Sequence, residues 1–447
     1  MRLLKLSLEN IGPFDRAELQ FLETPEDPVP IALITGINGT GKSILVDAIR
    51  GVFGAAYGWL ERQIWRENIP LGIRAAFQVE NASYVVHCKK GQQHAPGQYS
   101  LAGMSGPTFQ QLWGLPELVA RSQRPCPPWI VDYWRAGLGE GHYEIPALKA
   151  PDHKQFLQNA LQGTLRNAEI TELITYYDYF RDSRDPNEKA TGEAFYQIAE
   201  KIVRLGVLDG ELKPVRRADL MPMVHQSGHT VPIANISSGN AYFIQRMISL
   251  LGKMFSVHTL LKTDPKEVHR TPGLLLIDEI ENHLHPAWQK RFLPNIREIF
   301  PNLQIIATTH SPFTLASVPG AKVFVCKYEQ SHQSCVVHEE SDDYANKPIE
   351  EILLTPAFDA TQPWSTEISE LLRRRKEAQA KGDISARHEI EKELKALNPN
   401  YFGYFDIEEK LAALKGEAQG GEGEWDSFKY YTNTIQFTPN KKQIKTN

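Results

Sequence analysis

Residues 31–53 read IALITGINGTGKSILVDAIRGVF, and this stretch decides the fold class. The apolar run from Ile31 to Ile34 is typical of a buried strand, and four apolar residues recur at helical spacing between positions 44 and 49. Between them, residues 36–43 fit the pattern G-x-x-x-x-G-K-S/T, in which backbone N–H groups and a helix N-terminus surround phosphate groups. The order strand, glycine loop, helix therefore predicts a phosphate-binding loop in an α/β domain.

This loop supplies most of the candidate ligand contacts, and they are Asn38, Gly39, Thr40, Gly41, Lys42 and Ser43. The Lys42 ammonium is expected to reach the β and γ phosphates of a nucleotide, and the Ser43 hydroxyl to ligate Mg²⁺. We therefore expect ATP and Mg²⁺ to bind here.

A second apolar strand, from Gly273 to Ile277, ends in two adjacent carboxylates, Asp278 and Glu279. Two such charges repel each other unless a cation lies close to them. Asp278 is therefore the second candidate magnesium ligand beside Ser43. Glu279 is the candidate catalytic base that activates water against the γ phosphate.

A histidine, His310, directly follows the next apolar strand in the segment TTHSP at 308–312. Alternation of strands and helices predicts a mainly parallel sheet, and the carboxyl ends of parallel strands meet at one edge. His310 is thus expected beside Asp278, where it can bond the γ phosphate and sense its loss.

The remaining chain suggests three parts. Leu4, Leu6 and Leu8 alternate with polar residues, and residues 73–88 have the pattern of a hairpin, which together predict antiparallel strands near the N-terminus. Residues 1–340 are expected to form the head, with a helical insertion at about 145–225. A helical C-terminal extension at 341–415 follows, with two amphipathic helices broken at Gly382-Asp383, and residues 416–447 have the composition of a linker and basic tail.

Composition excludes some classes of function. The chain has 447 residues, 49 of them basic and 54 acidic, and a formal charge of -5, so it is not as a whole an electrostatic binder of nucleic acid or anionic membrane. Four cysteines lie outside any metal-ligand spacing. The N-terminus lacks the apolar core of a signal peptide, and no apolar run reaches the length of a membrane span, which predicts a cytoplasmic location.

The segment ISSGN at 236–240 resembles the signature motif of ABC ATPases, L-S-G-G-Q. In that family the signature of one subunit contacts the γ phosphate bound by the other, which implies that Ser237, Ser238 and Gly239 act in trans. Ser238 stands where the motif has glycine and Asn240 where it has glutamine. Four residues are candidates for the glutamine of the family's Q-loop: Gln78, Gln110, Gln111 and Gln123.

Within that family, LSLENIGPF at 6–14, IDEIENHLHP at 277–286 and TTHSP resemble the compact RecF-like and OLD-like ATPases of the AAA_21 type. Together with NISSGNAYFIQRM at 235–247, they are similar to the ATPase subunit of Septu anti-phage systems, also found beside some retrons. The resemblance implies an ABC-type ATPase head with a mainly parallel RecA-like sheet, an antiparallel β subdomain, an inserted helical lobe and a helical C-terminal extension.

It further implies a homodimer or higher oligomer that closes around Mg-ATP and controls a separate HNH-type nuclease. Nucleic acid is then bound directly or through that partner, and no membrane is expected. Two alternatives stay open: a RecF-like DNA-maintenance ATPase that clamps DNA itself, and a nuclease with an unrecognised site between Gly91 and Tyr143 or near the C-terminus. Local basic groups that could contact nucleic acid are Lys89-Lys90, Arg216-Arg217 and the run 373–376.

Overall fold

The computed structural model describes residues 1–24, 27–53, 71–79, 82–90, 127–158, 160–344, 346–359 and 364–405. The strands are β1 (Arg2–Ile11), β2 (Phe14–Gln20), β3 (Leu22–Thr24), β4 (Asp27–Pro28), β5 (Ile31–Gly36), β6 (Leu71–Val79), β7 (Ala82–Lys90), β8 (Ile130–Trp134), β9 (Glu211–Arg216), β10 (Met221–Gln226), β11 (His229–Pro232), β12 (Gly273–Ile277), β13 (Leu303–Thr308), β14 (Lys322–Glu329) and β15 (Ser334–Glu339). The helices are α1 (Lys42–Val52), α2 (His153–Gln158), α3 (Asn167–Arg181), α4 (Pro186–Gly206), α5 (Ser238–Leu261), α6 (Pro286–Ile299), α7 (Pro312–Leu315), α8 (Ile349–Leu353), α9 (Thr366–Ala380), α10 (Ile384–Leu397) and α11 (Pro399–Phe402).

A six-stranded sheet forms the centre of the head, in the order β15-β14-β5-β13-β12-β8. Every pair in it is parallel except β14 with β15. Every residue of β5, β8, β12 and β13 is buried, as expected of parallel strands that are covered on both faces. The sheet places the carboxyl ends of β5, β13 and β12 side by side, and it confirms the predicted mainly parallel α/β class.

The antiparallel β subdomain is a four-stranded sheet in the order β2-β1-β6-β7. The predicted hairpin is confirmed, because β6 and β7 pair from Leu71 opposite Lys90 to Val79 opposite Ala82. The expected alternation from Leu4 fails at its first member: the pairing of β1 with β6 shifts register between Leu3 and Lys5, so Leu3 is the buried residue. A bulge of one residue reverses the face that each side chain occupies.

The insertion between the two halves of the sheet contains α2, α3 and α4, and it packs on α5. An aromatic cluster joins these helices: the rings of Tyr177 and Phe195 stack with centroids 4.2 Å apart, and Phe255 lies 5.0 Å from Tyr177. Asp185 begins α4, since its carboxylate accepts the N–H groups of Asn187 and Glu188. The predicted helical lobe is therefore present.

Strands occupy the end of the region expected to be helical. β9, β10 and β11 form a three-stranded antiparallel sheet at 211–232. The turn between β10 and β11 consists of Ser227 and Gly228, both with positive φ, a conformation that favours a tight hairpin. The segment is too short for periodicity alone to distinguish a strand from a helix end.

The chain divides into two compact units, Met1–Thr361 and Gln362–Asn447. In the second unit α9 and α10 confirm the two predicted amphipathic helices, and Asp383 at the break accepts the N–H of Ala386. Its small core contains Leu371, Ala378, Ile390, Leu394, Phe402 and Phe405. Among the described residues, no helix combines the length and the apolar character needed to cross a bilayer.

Candidate functional site

The phosphate-binding loop begins where β5 ends, and its shape requires glycine at two points. At Gly36, φ is 132° and a Cβ would lie 2.3 Å from the carbonyl oxygen of Cys326 on the neighbouring β14. At Gly41, φ is 93° and a Cβ would lie 2.6 Å from the ring of Phe14. Glycine adopts positive φ at little cost, and the close approach leaves no room for a Cβ. Larger residues are therefore excluded at both positions. The loop is thus held between β14 and the β1–β2 turn.

Lys42 lies at the centre of the loop and is almost fully buried. Its ammonium donates hydrogen bonds to the carbonyl oxygens of Gly36, at 3.0 Å, and Ile37, at 2.8 Å, and Thr40 Oγ1 donates to the Ile37 carbonyl at 2.8 Å. Burial lowers the pKa of Lys42, and the charges of nearby acidic groups, among them Glu281, oppose that shift. Within the described residues this ammonium forms no ion pair, which suits it to an anionic ligand.

Asp278 lies beside the loop. The Ser43 hydroxyl donates to Asp278 Oδ1 at 2.9 Å, and Thr308 Oγ1 donates to the same oxygen at 2.6 Å. Thr308 Oγ1 also accepts the backbone N–H of Glu279 at 2.8 Å. The ends of β5, β12 and β13 are thereby joined at one carboxylate, as the order of the strands predicts.

Glu279 adopts a left-handed backbone conformation with φ of 51°, which is rare for a residue with a side chain. Its Oε2 accepts a hydrogen bond from Asn282 Nδ2 at 2.6 Å. Such a strained residue persists only where its surroundings fix it, and here the Asn282 amide fixes the carboxylate. One carboxylate oxygen is then oriented, and the other has no hydrogen bond within the described part of the chain.

His310 follows β13 and is half-buried at the same edge of the sheet. Burial lowers its pKa, and the charge of Lys42 lowers it further, whereas Glu279 and Asp278 oppose the shift. A neutral imidazole is therefore favoured near pH 7. The structure thus brings together residues 38–43, Asp278, Glu279 and His310.

The resemblance to ABC ATPases places Glu281 in the family's D-loop, but sequence reasoning did not predict its contacts with Thr309 and His310. Its Oε1 accepts the backbone N–H of His310 at 2.6 Å, and its Oε2 accepts the hydroxyl of Thr309 at 2.8 Å. Burial raises the pKa of this carboxyl, and both hydrogen bonds oppose the shift. Glu281 stands only two positions after Glu279. Local sequence spacing does not predict its contact with His310, because that residue lies 29 positions away.

The signature-like segment lies elsewhere on the surface. Ser237 and Ser238 are exposed at the start of α5, where Ser237 is the N-cap but makes no side-chain cap bond. A Cβ on Gly239 would lie 2.8 Å from the carbonyl oxygen of His283. Within the described residues, no hydrogen bond or ion pair joins Ser237, Ser238 or Gly239 to residues 38–43.

Other sequence candidates are also placed. Gln78 lies on β6 opposite Arg2, whereas Gln110, Gln111, Gln123 and most of the stretch from Gly91 to Tyr143 fall outside the described residues. Arg216 and Arg217 pair with Asp219 and Asp182. In the run 373–376, Arg373 pairs with Glu370 and Glu377, and Arg375 with Glu391. Each of these four arginines, Arg216, Arg217, Arg373 and Arg375, thus has an acidic partner.

A pocket of about 390 Å³ opens on the side of the loop that faces away from β13. It is lined by the β1–β2 turn, by loop residues 37–40 and by the hairpin of β14 and β15. Its apolar part includes Ile37 and Tyr328, whose side chains remain 45% and 55% exposed. Large apolar side chains left open beside a phosphate loop mark a surface that a ligand can cover.

Comparisons with known proteins give two family matches. Residues 149–316 match AAA_21, described as "AAA domain, putative AbiEii toxin, Type IV TA system", and residues 5–95 match AAA_23, described as "AAA domain".

Individual relatives and solved structures show the following degrees of similarity. The chain is 20% identical over 470 residues to "Retron Vc95 probable ATPase" from Vibrio cholerae serotype O1 biovar El Tor, covering 90% of this chain and 88% of that protein. It is 38% identical over 88 residues to "Septu protein PtuA" from Bacillus thuringiensis, covering 18% of this chain and 22% of the relative. Among solved structures, the SMC head domain from Thermotoga maritima aligns with a TM-score of 0.42 and 15% identity over 76% of this chain and 99% of the other.

Proposed function

We propose that this chain, an ATPase whose residues 149–316 match the AAA_21 family, is the ATP-gated regulatory subunit of a bacterial anti-phage defence complex. Two copies close around Mg-ATP, and the state of the nucleotide controls a partner nuclease. One observation carries the catalytic part: the Ser43 hydroxyl and the Asp278 carboxylate meet beside a buried Lys42, with Glu279 and His310 at the same edge.

Ser43 and Asp278 fit a magnesium ion. A hydroxyl and a carboxylate 2.9 Å apart are oxygen donors of the kind that Mg²⁺ prefers, at a place where the ion keeps several waters and phosphate oxygens as its other ligands. When bound, the ion supplies charge neutralisation to the phosphates. Thr308 holds Asp278 in place through its 2.6 Å hydrogen bond, so the carboxylate is oriented before a metal arrives.

Glu279 acts as the base in this scheme. Asn282 holds Oε2, so Oε1 is left to accept a proton from the attacking water. Lys42 and the backbone N–H groups of residues 39–43 bind the phosphates, and neutral His310 donates a hydrogen bond to the γ phosphate. The chain's contribution is therefore orientation of the water and stabilisation of negative charge, as phosphoryl transfer requires.

The nucleoside occupies the 390 Å³ pocket. The γ phosphate must face Glu279 and His310, which follow β12 and β13, so the α phosphate points to the other side of β5, toward β14. That side carries the pocket with Tyr328 and Ile37 in its lining. We propose that the base packs on Tyr328, since an aromatic ring offers a stacking surface to any base.

Action in trans accounts for the signature-like segment. Ser237 and Ser238 are exposed and Gly239 packs on His283, so a helix N-terminus is presented to solvent rather than to the loop of its own chain. A second copy related by two-fold symmetry brings that N-terminus over the bound γ phosphate. The proposed assembly is a homodimer or a higher oligomer built from such dimers.

The role in defence is supported by the relatives named as a retron ATPase and a Septu protein. We assign any cutting to a separate HNH-type nuclease, as the resemblance to the Septu ATPase subunit implies. We place the complex in the cytoplasm. The local pairing of Arg216, Arg217 and Arg373 disfavours the alternative of a DNA-clamping repair ATPase.

Substituting Glu279→Gln tests the catalytic assignment. The variant should bind ATP with unchanged Kd and accumulate as a nucleotide-bound dimer. Its rate of ATP hydrolysis should fall by at least about 100-fold. Lys42→Ala is the matched control, because it should lose binding as well as hydrolysis. Undiminished hydrolysis by Glu279→Gln would remove Glu279 from its role.

The partner is tested by purifying the complex from cells that express the chain with its neighbouring genes. We expect a nuclease to co-purify, and its cutting to differ between wild type and Glu279→Gln in the presence of ATP. A lone dimer whose hydrolysis rises only when DNA is added would instead support the repair ATPase.

A further inference from the structure

The segment that follows β12 is attached to the end of β13 by successive hydrogen bonds. The N–H of Glu279 donates to the Thr308 hydroxyl at 2.8 Å, and the N–H of Ile280 donates to the Thr308 carbonyl at 3.1 Å. Glu281 continues the series by accepting from Thr309 and His310. Residues 279–281 of one segment are thus bonded to residues 308–310 of the other.

The Glu281 carboxylate bonds two consecutive residues at once, one through each oxygen. A carboxylate has acceptors on both oxygens, so it can receive the Thr309 hydroxyl and the His310 N–H together. Both donors are neutral, and within the described residues this half-buried carboxylate forms no ion pair.

The same short segment also contacts the signature-like region. His283 has a positive φ of 64° and its carbonyl oxygen lies against Gly239. The N–H of Leu284 donates to the Glu281 carbonyl at 3.0 Å, which closes a tight turn between the two contacts. Residues 281–284 therefore join the base of the signature helix α5 to the backbone of His310.

We propose that Glu281 is a positioning residue for His310: its carboxylate fixes the backbone on which the imidazole is mounted, and it thereby sets how well the site distinguishes ATP from ADP. This inference rests on the proposed function, because it concerns the reading of the γ phosphate by His310. Glu281 itself touches neither the nucleotide nor the attacking water.

A charge effect on Lys42 is the competing explanation, because the Glu281 carboxylate also interacts electrostatically with that ammonium. The two explanations differ in their consequences. Lys42 holds the β as well as the γ phosphate, so loss of the carboxylate charge beside it changes the affinity for ADP and for ATP together. Misplacement of His310 affects only the ligand that carries a γ phosphate.

The test measures Kd for ADP and for a non-hydrolysable ATP analogue in wild type, Glu281→Ala, Glu281→Gln, His310→Ala and the double variant Glu281→Ala with His310→Ala. Binding needs no turnover, so inactive variants can be compared. Glu350→Ala, at an exposed glutamate on α8, is the control for loss of a carboxylate. Thermal unfolding of each variant shows that it is folded.

We expect Glu281→Ala and His310→Ala each to reduce the preference for the ATP analogue over ADP about tenfold, with little change in Kd for ADP. The double variant should be no worse than His310→Ala, since the two residues act through one contact. Glu281→Gln should keep most of the preference, because its amide oxygen still accepts the His310 N–H.

An equal change in the affinity for both nucleotides in Glu281→Ala, or effects that add in the double variant, would overturn the proposal. Should Glu281→Ala not fold, the same comparison with Glu281→Gln decides the matter, since a charge effect would change the affinity of this variant for both nucleotides by the same factor. A wild-type protein that fails to bind ATP, or whose preference is unchanged by His310→Ala, would contradict the proposed function instead.

Discussion

Ser43 Oγ donates a 2.9 Å hydrogen bond to Asp278 Oδ1 across 235 positions of sequence. The hydroxyl begins α1 and the carboxylate follows β12, so this single contact joins the phosphate loop to the acidic end of a strand that is not its neighbour in the sheet. β13 lies between them, and its last residue, Thr308, bonds the same oxygen. Most of our expectations about activity depend on this arrangement.

Magnesium dependence should change when either oxygen donor is removed. We expect Ser43→Ala to raise the Mg²⁺ concentration for half-maximal hydrolysis about tenfold, and Asp278→Asn to raise it further, since a charged ligand is lost. Steady-state hydrolysis measured against Mg²⁺ concentration checks this. Ser317→Ala, which removes a hydroxyl bonded to the Thr314 carbonyl, should behave as wild type. Identical magnesium curves for Ser43→Ala and wild type would exclude Ser43 as a ligand.

Tyr328 should affect the affinity for ATP and not the rate of the chemical step. Loss of base stacking costs roughly 1 to 3 kcal/mol, so Tyr328→Ala is expected to raise KM for ATP at least several-fold with kcat little changed. Tyr179→Ala is the matched control, because Tyr179 is similarly exposed on α3. An unchanged KM in Tyr328→Ala would place the base outside the pocket.

A buried ion pair connects α5 to the central sheet and should dominate local stability. Lys253 Nζ lies 2.6 Å from Asp132 Oδ1, and the two side chains are 7% and 0% exposed. Lys253→Met should lower the free energy of unfolding by about 3 to 5 kcal/mol, because the Asp132 charge is left buried without its partner. Lys213→Met is the control, since its pair with Glu211 has the same length but is exposed, and exposed pairs contribute about 1 kcal/mol or less. Urea unfolding of both variants measures the difference, and equal losses would contradict the prediction.

His153 should make stability depend on pH. Its Nδ1 lies 3.1 Å from Ser256 Oγ, and burial lowers its pKa below the ordinary 6.5. As pH falls through 6.5, the unfolded chain takes up the proton before the folded one does, so the free energy of unfolding decreases. We therefore expect wild type to lose more stability than His153→Gln between pH 7.5 and 5.5, as measured by urea unfolding. Parallel losses in the two proteins would show that His153 contributes nothing.

The residues that directly follow strands could be predicted from the sequence, because a run of apolar residues marks where each strand ends. Asp278, Glu279 and His310 were found in this way, and the topology places them at one edge. The failures have specific causes. The bulge between Leu3 and Lys5 reverses the alternation of buried and exposed side chains at the start of β1. Strands β9 to β11 were not predicted, because they follow a segment with helical periodicity. The hydrogen bonds of Glu281 to Thr309 and His310 could not be predicted, because they depend on how two loops meet.

The order of strands in the central sheet also limits when the site can form during synthesis. β5 leaves the ribosome early, but its neighbours β13 and β14 are separated from it by more than 250 residues of chain. Until they arrive, the phosphate loop has neither the strand that carries Thr308 nor the wall against Gly36. Parallel pairings of such long range fold slowly, because loop closure precedes any gain from contacts. The phosphate site of the nascent chain is therefore complete only after nearly the whole head has been translated.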